Sequence, residues 1–267
     1  MSGSFWAKSF IWNDVPSEYY SLTVSNFDIG VISTSAGSDV EIIEQEIYRR
    51  PKPYFFGISQ RPKLEFDFTV TSENALSATD RNLIESWLLG NMNYGILQFV
   101  SCDMDDVYFR GILSKASNIY TGNLNYGLNL HMICDSPWAW RYPITSNYIY
   151  PNNTIVNVNI PYINRSANND YTKPIIQFIL NTIGNSFKLT NLSDTTQGSF
   201  EFTALSPSET ITVNNDLETI VSSTGLYRIS KFNKNWFYLI PGLNNLNIQS
   251  GIGTFSMTVQ DAVKLGG

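Results

Sequence analysis

The strongest constraint on this chain is a period of two. In the stretch LEFDFTV, apolar Leu64, Phe66, Phe68 and Val70 alternate with Glu65, Asp67 and Thr69. Successive side chains of an extended strand point to opposite faces, so such a segment buries one side only as a β-strand. Residues 124–134 repeat the pattern, with Leu124, Tyr126, Leu128, Leu130, Met132 and Cys134 expected on one face and Asn125, Asn129 and His131 on the other. Residues 20–24, 41–48, 96–100 and 107–113 are further strand candidates. One segment departs from this texture. In SATDRNLIESWLLG, Ser77 stands as N-cap with Asp80 in the first turn. Leu83, Ile84, Trp87 and Leu88 then share one helical face, and Gly90 supplies a stop. A single short α-helix in a mainly β chain is the expected inventory.

The texture changes after Tyr142. Residues 143–172 are rich in Asn, Pro and Tyr and read as a junction with a few short strands. Strand signals resume at 173–180, 199–204, 209–213, 236–240, 246–249 and 254–259, with a type II turn signature at Pro241-Gly242. Short strands at near-regular spacing without a helix read as a β-sandwich. The expected domains are therefore residues 1–142, strands plus one helix, and residues 143–267, an all-β sandwich. Aromatics at 14% and charged residues at only 15% suit strands and polar loops over long helices.

Several function classes are disfavoured. The net charge of −6, from 23 acidic and 17 basic residues, argues against a phosphate-binding surface. His131 is the one histidine, placed mid-strand, so a Ser-His or Cys-His nucleophile would have to pass through it. One His with two distant Cys does not make a zinc site, and neither phosphate-binding glycine loop is present. Asp103, Asp105 and Asp106 lack the Gly and distal Glu of a calcium loop and read as a hairpin tip. No catalytic residue, metal or cofactor is expected. A carboxylate pair for glycoside hydrolysis would be assembled by the fold rather than by spacing, so a glycan-degrading enzyme stays as a third reading. The N-terminus MSGSFWAKSF has no signal-like apolar core and no segment has membrane-spanning length, so cytoplasmic synthesis without membrane insertion is expected. Cys102 and Cys134 are then expected as reduced thiols.

An ordered set of segments carries a resemblance. FIWNDVPSEYYSLTVSNFDIG, RRPKPYFFG, RPKLEFDFTV, ESWLLG, LQFVSCDMDDVYFRGIL and LNYGLNLHMICDSPWAWR follow one another over residues 5–142. In this order and spacing the chain resembles the distal tail proteins of long-tailed phages, the CDSPWAW ending being the most characteristic piece. KPIIQFIL, GNSF, SETITVNND and LIPGLNNLNIQSG in the second half are similar to that family's galectin-like β-sandwich. The resemblance implies a structural virion protein whose N-terminal domains form a homohexameric ring at the tail tip. Such a ring joins the major tail tube protein to the tail-tip hub protein, and the outward C-terminal domains hold receptor-binding or other tip proteins. Assembly in the host cytoplasm follows. The alternative is a galectin-like carbohydrate-binding module contacting host cell-wall saccharide. That reading needs an exposed aromatic platform beside Asn and Asp groups on the sandwich.

Two places are singled out. Within the arm 35–57, Val40, Ile42 and Ile47 alternate with Asp39, Glu41 and Glu46, and Arg49-Arg50 follow. The arm is read as a projecting strand pair that clasps the next subunit, through Val40, Ile42, Glu46, Arg49 and Arg50. In CDSPWAW, Pro137 removes a ladder donor, and Trp138 and Trp140 fall on one side of an extended segment. They are read either as an apolar clamp at the domain junction or as the finish of the N-terminal core.

Overall fold

In the computed structural model the described residues are 7–28, 42–48, 51–58, 63–100, 105–150, 155–167 and 171–264. They are mainly β, as the alternation requires, with one α-helix. The chain divides into two compact units, Met1–Arg141 with Val263–Gly267, and Tyr142–Ala262.

The first unit contains β1 (Ser9–Trp12), β2 (Val15–Pro16), β3 (Leu22–Asp28), β4 (Ile42–Gln45), β5 (Tyr54–Ile58) and β6 (Glu65–Ser72). Helix α1 (Ala78–Leu89) is followed by β7 (Gly95–Val100), β8 (Val107–Thr121), β9 (Leu124–Cys134) and β10 (Ala139–Arg141). Its main sheet runs β2-β1-β7-β8-β9-β6-β3, with β10 also on β8. The sheet curls until its ends meet, since Val24 N–H on β3 donates to the Lys8 carbonyl beside β1 at 3.0 Å. Curling puts the inward side chains of distant strands face to face. Phe10 meets Phe68 with centroids 5.5 Å apart, Phe68 meets Phe99 at 5.2 Å, and Phe66 meets Phe109 at 4.9 Å. The three pairs are edge-to-face, the arrangement that ring quadrupoles favour.

Helix α1 begins as its sequence demands. Ser77 Oγ accepts from Asp80 N–H at 3.2 Å, and Asp80 Oδ2 accepts from Ser77 N–H at 3.2 Å, a reciprocal capping box. Ile84 and Leu88 are buried in the first core and Trp87 stacks on Tyr20 at 4.7 Å, whereas Leu83 stays exposed. The apolar face is thus narrower than the sequence suggested. Gly90 ends the helix in right-handed geometry, and a side chain there would meet the Ser86 carbonyl.

Strand β6 alternates as expected, with Phe66, Phe68 and Val70 buried. Strand β9 does so only from Leu128 onward. Before it the phase inverts: Asn125 is buried and Leu124 is 53% exposed. A bulge in β9 at Tyr126, opposite Ile119 and Tyr120 of β8, shifts the register there, and Asn125 is satisfied by Asn118 Oδ1 and Gly127 N–H. Gly127 lies where the phase changes, between Thr71 of β6 and Ile119 of β8. An added Cβ would overlap the Val70 carbonyl oxygen and crowd Thr71. Gly127→Ala is expected to destabilise by about 1–3 kcal/mol in urea unfolding, because the β6 backbone stands where the Cβ would go and cannot yield without disturbing its ladder.

The second unit contains β11 (Ile144–Ile149), β12 (Val156–Asn164), β13 (Ile175–Leu180), β14 (Phe187–Asn191), β15 (Phe200–Phe202) and β16 (Thr210–Asn214). It continues with β17 (Thr219–Ser222), β18 (Gly242–Ser250) and β19 (Ile252–Val259). The sheets β11-β19-β13-β16-β17 and β12-β18-β14-β15 enclose one core. Phe178 of the first sheet lies flat on Phe187 of the second, centroids 4.0 Å apart and planes 9° from parallel. Residues 236–240, expected as a strand, join no ladder beyond the single bridge between Leu239 and Thr172. Phe237 and Leu239 are buried all the same, so alternation there records burial without sheet pairing.

Candidate assembly surfaces

The arm is the least buried described part of the first unit. β4 pairs antiparallel with β5, Ile42 opposite Ile58 and Gln45 opposite Tyr54, with a bulge between Ile43 and Glu44. The pair forms a two-stranded sheet of its own. Every residue of β4 is exposed, and Glu46 with it, so the expected division into a polar and an apolar side does not appear. Ile42, Ile43, Tyr48, Tyr54, Phe55 and Phe56 all face water, with Phe55 67% and Phe56 66% exposed. A two-stranded hairpin is marginal in water by itself, and so many large apolar side chains exposed along it favour a covering partner. Val40, Arg49 and Arg50 lie outside the described residues.

On the outward face of the main sheet, His131 is held by carboxylates. Its Nδ1 is 2.7 Å from Asp67 Oδ1 and its Nε2 is 3.8 Å from Glu65 Oε2. Lys115 stands opposite His131 on β8. This is a polar cluster on the sheet surface, and the neighbouring Ser114 hydroxyl donates to the His131 backbone carbonyl at 3.3 Å rather than to its ring. Among the described residues no group of His, Cys, Asp or Glu is arranged to hold a metal ion. Asp106 pairs with Arg141 at 2.8 Å, and Asp103 and Cys102 lie outside the described residues. Cys134 is a free thiol with no exposed surface, and burial pushes its pKa up to about 12. A thiol held protonated and shut from solvent is chemically inert.

Pro137 and the two tryptophans lie where the first unit ends. Ser136 Oγ donates to the Trp138 carbonyl at 2.9 Å and closes the turn that Pro137 initiates. Ala139 is fully buried in the first core, while Trp138 and Trp140, both half-buried, do not belong to that core. Strand alternation explains it: Ala139 points in, so its neighbours point the other way together. β10 then pairs with β8, Trp140 opposite Tyr108.

In the second unit an open pocket of about 270 Å³ crosses the end of the four-stranded sheet, among Ile155, Ile183, Lys188, Glu201 and Gln249. No aromatic side chain lines it. The tyrosines Tyr171 and Tyr238, centroids 4.2 Å apart, are not among its walls; the Tyr238 hydroxyl is bonded to Thr196 and Asp194.

Known proteins match the chain along most of its length. A family model described as phage tail protein N-terminal domain matches residues 5–136, and its companion, described as phage tail C-terminal domain, matches residues 138–259. The chain belongs to the phage tail protein family. Among solved structures, the SPP1 Dit protein, called a paradigm of hub adsorption apparatus in Gram-positive infecting phages, is 16% identical with a TM-score of 0.67. The alignment covers 94% of this chain and 98% of that one. A chain of the phage P2 baseplate in its activated conformation with Ca is 8% identical with a TM-score of 0.50, covering 97% and 99%. At these identities the likeness establishes the fold of a distal tail protein. No curated protein matches the chain. As a phage tail protein it is a structural component of the virion, and its relatives in family and fold are structural rather than enzymatic. No helix among the described residues is long and apolar enough to cross a membrane.

Proposed function

We propose that this phage tail protein is the distal tail hub, a homohexameric ring built by the first unit that joins the tail tube to the tail-tip hub protein. The observation that carries the reading is the β4–β5 hairpin, whose exposed apolar side chains need a partner surface. In a closed ring every contact is heterologous and each subunit is equivalent, so a hairpin from one copy can cover the body of the next all the way round. Ile42 and Glu46 sit on this hairpin and are assigned to that contact; Val40, Arg49 and Arg50 extend the assignment along the arm. Pro137, Trp138 and Trp140 are assigned to an apolar clamp at the end of the first unit, supported by the absence of both indoles from the first core. The second unit offers attachment points for receptor-binding or other tip proteins, and assembly takes place in the host cytoplasm. Permanent interfaces of this kind bury about 2,000 Å² or more. Negative-stain imaging and native mass spectrometry of the full chain are expected to show a sixfold ring, alone or with the tube and hub proteins added. A monomer under all of these conditions would end the proposal.

A further inference from the structure

A hairpin that clasps a neighbour needs a receiving surface, and the main sheet carries one on its outer side. Strand β7 alternates cleanly: Leu97 and Phe99 belong to the core, so Ile96, Gln98 and Val100 point outward. Ile96 is 43% and Val100 42% exposed, and Met92 and Tyr94 just before the strand are exposed as well. Half-buried Ile11 of β1 lies opposite Gln98 and widens the stripe. The outer side of β6, by contrast, carries Glu65, Asp67 and Thr69. Cations border the β7 stripe. Arg110 of β8 stands opposite Ile96, its guanidinium carbon 5.7 Å from the centre of the Tyr94 ring. Its Nε lies 3.4 Å from Asp135, yet the side chain stays 56% exposed, and a guanidinium has further donors to give. At the other end, exposed Lys8 donates its backbone N–H to the Val100 carbonyl.

The hairpin is the complement of this stripe. Residues two apart on a strand, and residues directly opposite across a ladder, share a side. Ile42, Glu44 and Phe55 therefore project together. Of the described charged residues of the hairpin, Glu44 lies on β4, Glu46 follows it, and Lys52 lies in the connection to β5. An apolar and acidic strand thus faces an apolar stripe with basic ends. Position agrees as well. The sheet closes in the circuit β1-β7-β8-β9-β6-β3, in which β7 is three strands from β6 by either route. The hairpin enters the chain between β3 and β6, so it is rooted on the flank opposite β7. A heterologous ring contact needs its two halves on different flanks, because each subunit uses both at once. We infer that the outer face of β7, with Ile11 and Arg110, receives the β4–β5 hairpin of a second copy of this chain. Ile42 and Phe55 cover Ile96 and Val100, and Glu44 meets Arg110. This contact presupposes the ring proposed above and fixes where the clasp lands.

Photo-crosslinking of the full-length chain tests this. A benzophenone side chain in place of Phe55 is irradiated under the conditions that give rings, with tube and hub proteins added if the chain alone gives none. The band at twice the chain mass is expected to join position 55 to the peptide holding residues 94–100. Ile96→Asp with Val100→Asp should lower ring formation by about tenfold or more, since two carboxylates would be buried without partners. Urea unfolding checks that this variant folds, and the crosslink map decides by itself if it does not. Rings whose crosslinks fall on another segment of the second copy would overturn the receiving face and leave the ring standing. Crosslinks to a tube or hub protein would assign the hairpin to that protein and overturn it too. So would rings that the double variant forms as readily as the parent. A chain that stays monomeric throughout would end both the ring and its receiving face.

Discussion

Replacing Arg228 by alanine is expected to cost about 3–5 kcal/mol of stability, the usual price of stranding one partner of a buried ion pair. The Glu209 side chain has 0% exposure and that of Arg228 only 9%. The guanidinium binds it in a two-pronged contact, Nε to Oε1 at 2.7 Å and Nη2 to Oε2 at 2.8 Å. Ser222 Oγ donates to Oε1 and Ser206 N–H donates to Oε2, so the carboxylate is surrounded by donors. Burial alone would raise its pKa, but the donors and the Arg228 charge outweigh burial and hold it at about 2, against 4.5 normally. The sign of the pH dependence follows. A carboxyl with a lowered folded pKa contributes stability that is complete above its unfolded value and is lost as protons bind the native state. The second unit should therefore lose stability as pH falls from about 4.5 to about 2. Arg228→Ala should flatten that slope, and Arg228→Lys should restore only part of the stability, because an ammonium lacks the planar fork. Chemical denaturation across this pH range measures both effects. An Arg228→Ala chain as stable as the parent would show that the pair is solvated in solution.

The second large effect concerns assembly. Phe55→Ser with Phe56→Ser is expected to abolish the ring while leaving each subunit folded. Adjacent strand residues point to opposite faces, so the two rings sample both sides of the hairpin. Both are about two-thirds exposed in the single chain, and surface substitutions of this kind usually change folding stability by no more than about 0.5 kcal/mol. Buried against a neighbour, aromatic anchors of this size commonly carry about 2–4 kcal/mol each. In the proposed sixfold ring, six equivalent contacts multiply that loss. Native mass spectrometry should report monomers that keep a cooperative urea transition, with a midpoint below that of the assembled parent by the stabilisation the ring supplied. Intact rings from the double variant would show that the hairpin is not the clasp. Each single variant then tells which face makes the contact.

The relation between sequence and structure differs from element to element. β6, β13 and the N-cap of α1 were legible because each rests on a local rule: a strict alternation in β6, a β-branched and aromatic run in β13, and a Ser with an acid three residues on in α1. β12 was not. VNVNIPYIN alternates, but Asn and Pro are poor strand formers, and its nine-residue pairing with β18 comes from residues 78 to 94 positions away. The opposite error occurred at residues 236–240, where an apolar alternating run is buried yet pairs with almost nothing. The ends of β9 and the helix show a finer limit. Leu124 and Leu83 carry the right residue type at the right spacing, yet the register shift of β9 turns Leu124 outward and the narrow buried face of α1 leaves Leu83 exposed.

What the sequence determined by itself is the backbone's local state and its polarity: a mainly β chain, one capped helix, no catalytic constellation in its spacing, and the ordered segments that mark the tail family. These follow from side-chain periodicity and from contacts a few residues long. What the tertiary structure decided is which of the apolar faces are used. Only the curled sheet and the sandwich close over some of them, burying Ala139 while turning Trp138 and Trp140 away from that core. Only the packing brings Arg228 to Glu209, nineteen residues apart, and sets Arg110 opposite Ile96. The physical reason is that pairing energy depends on neighbours in space, and register between strands is settled by the whole sheet rather than by either strand alone.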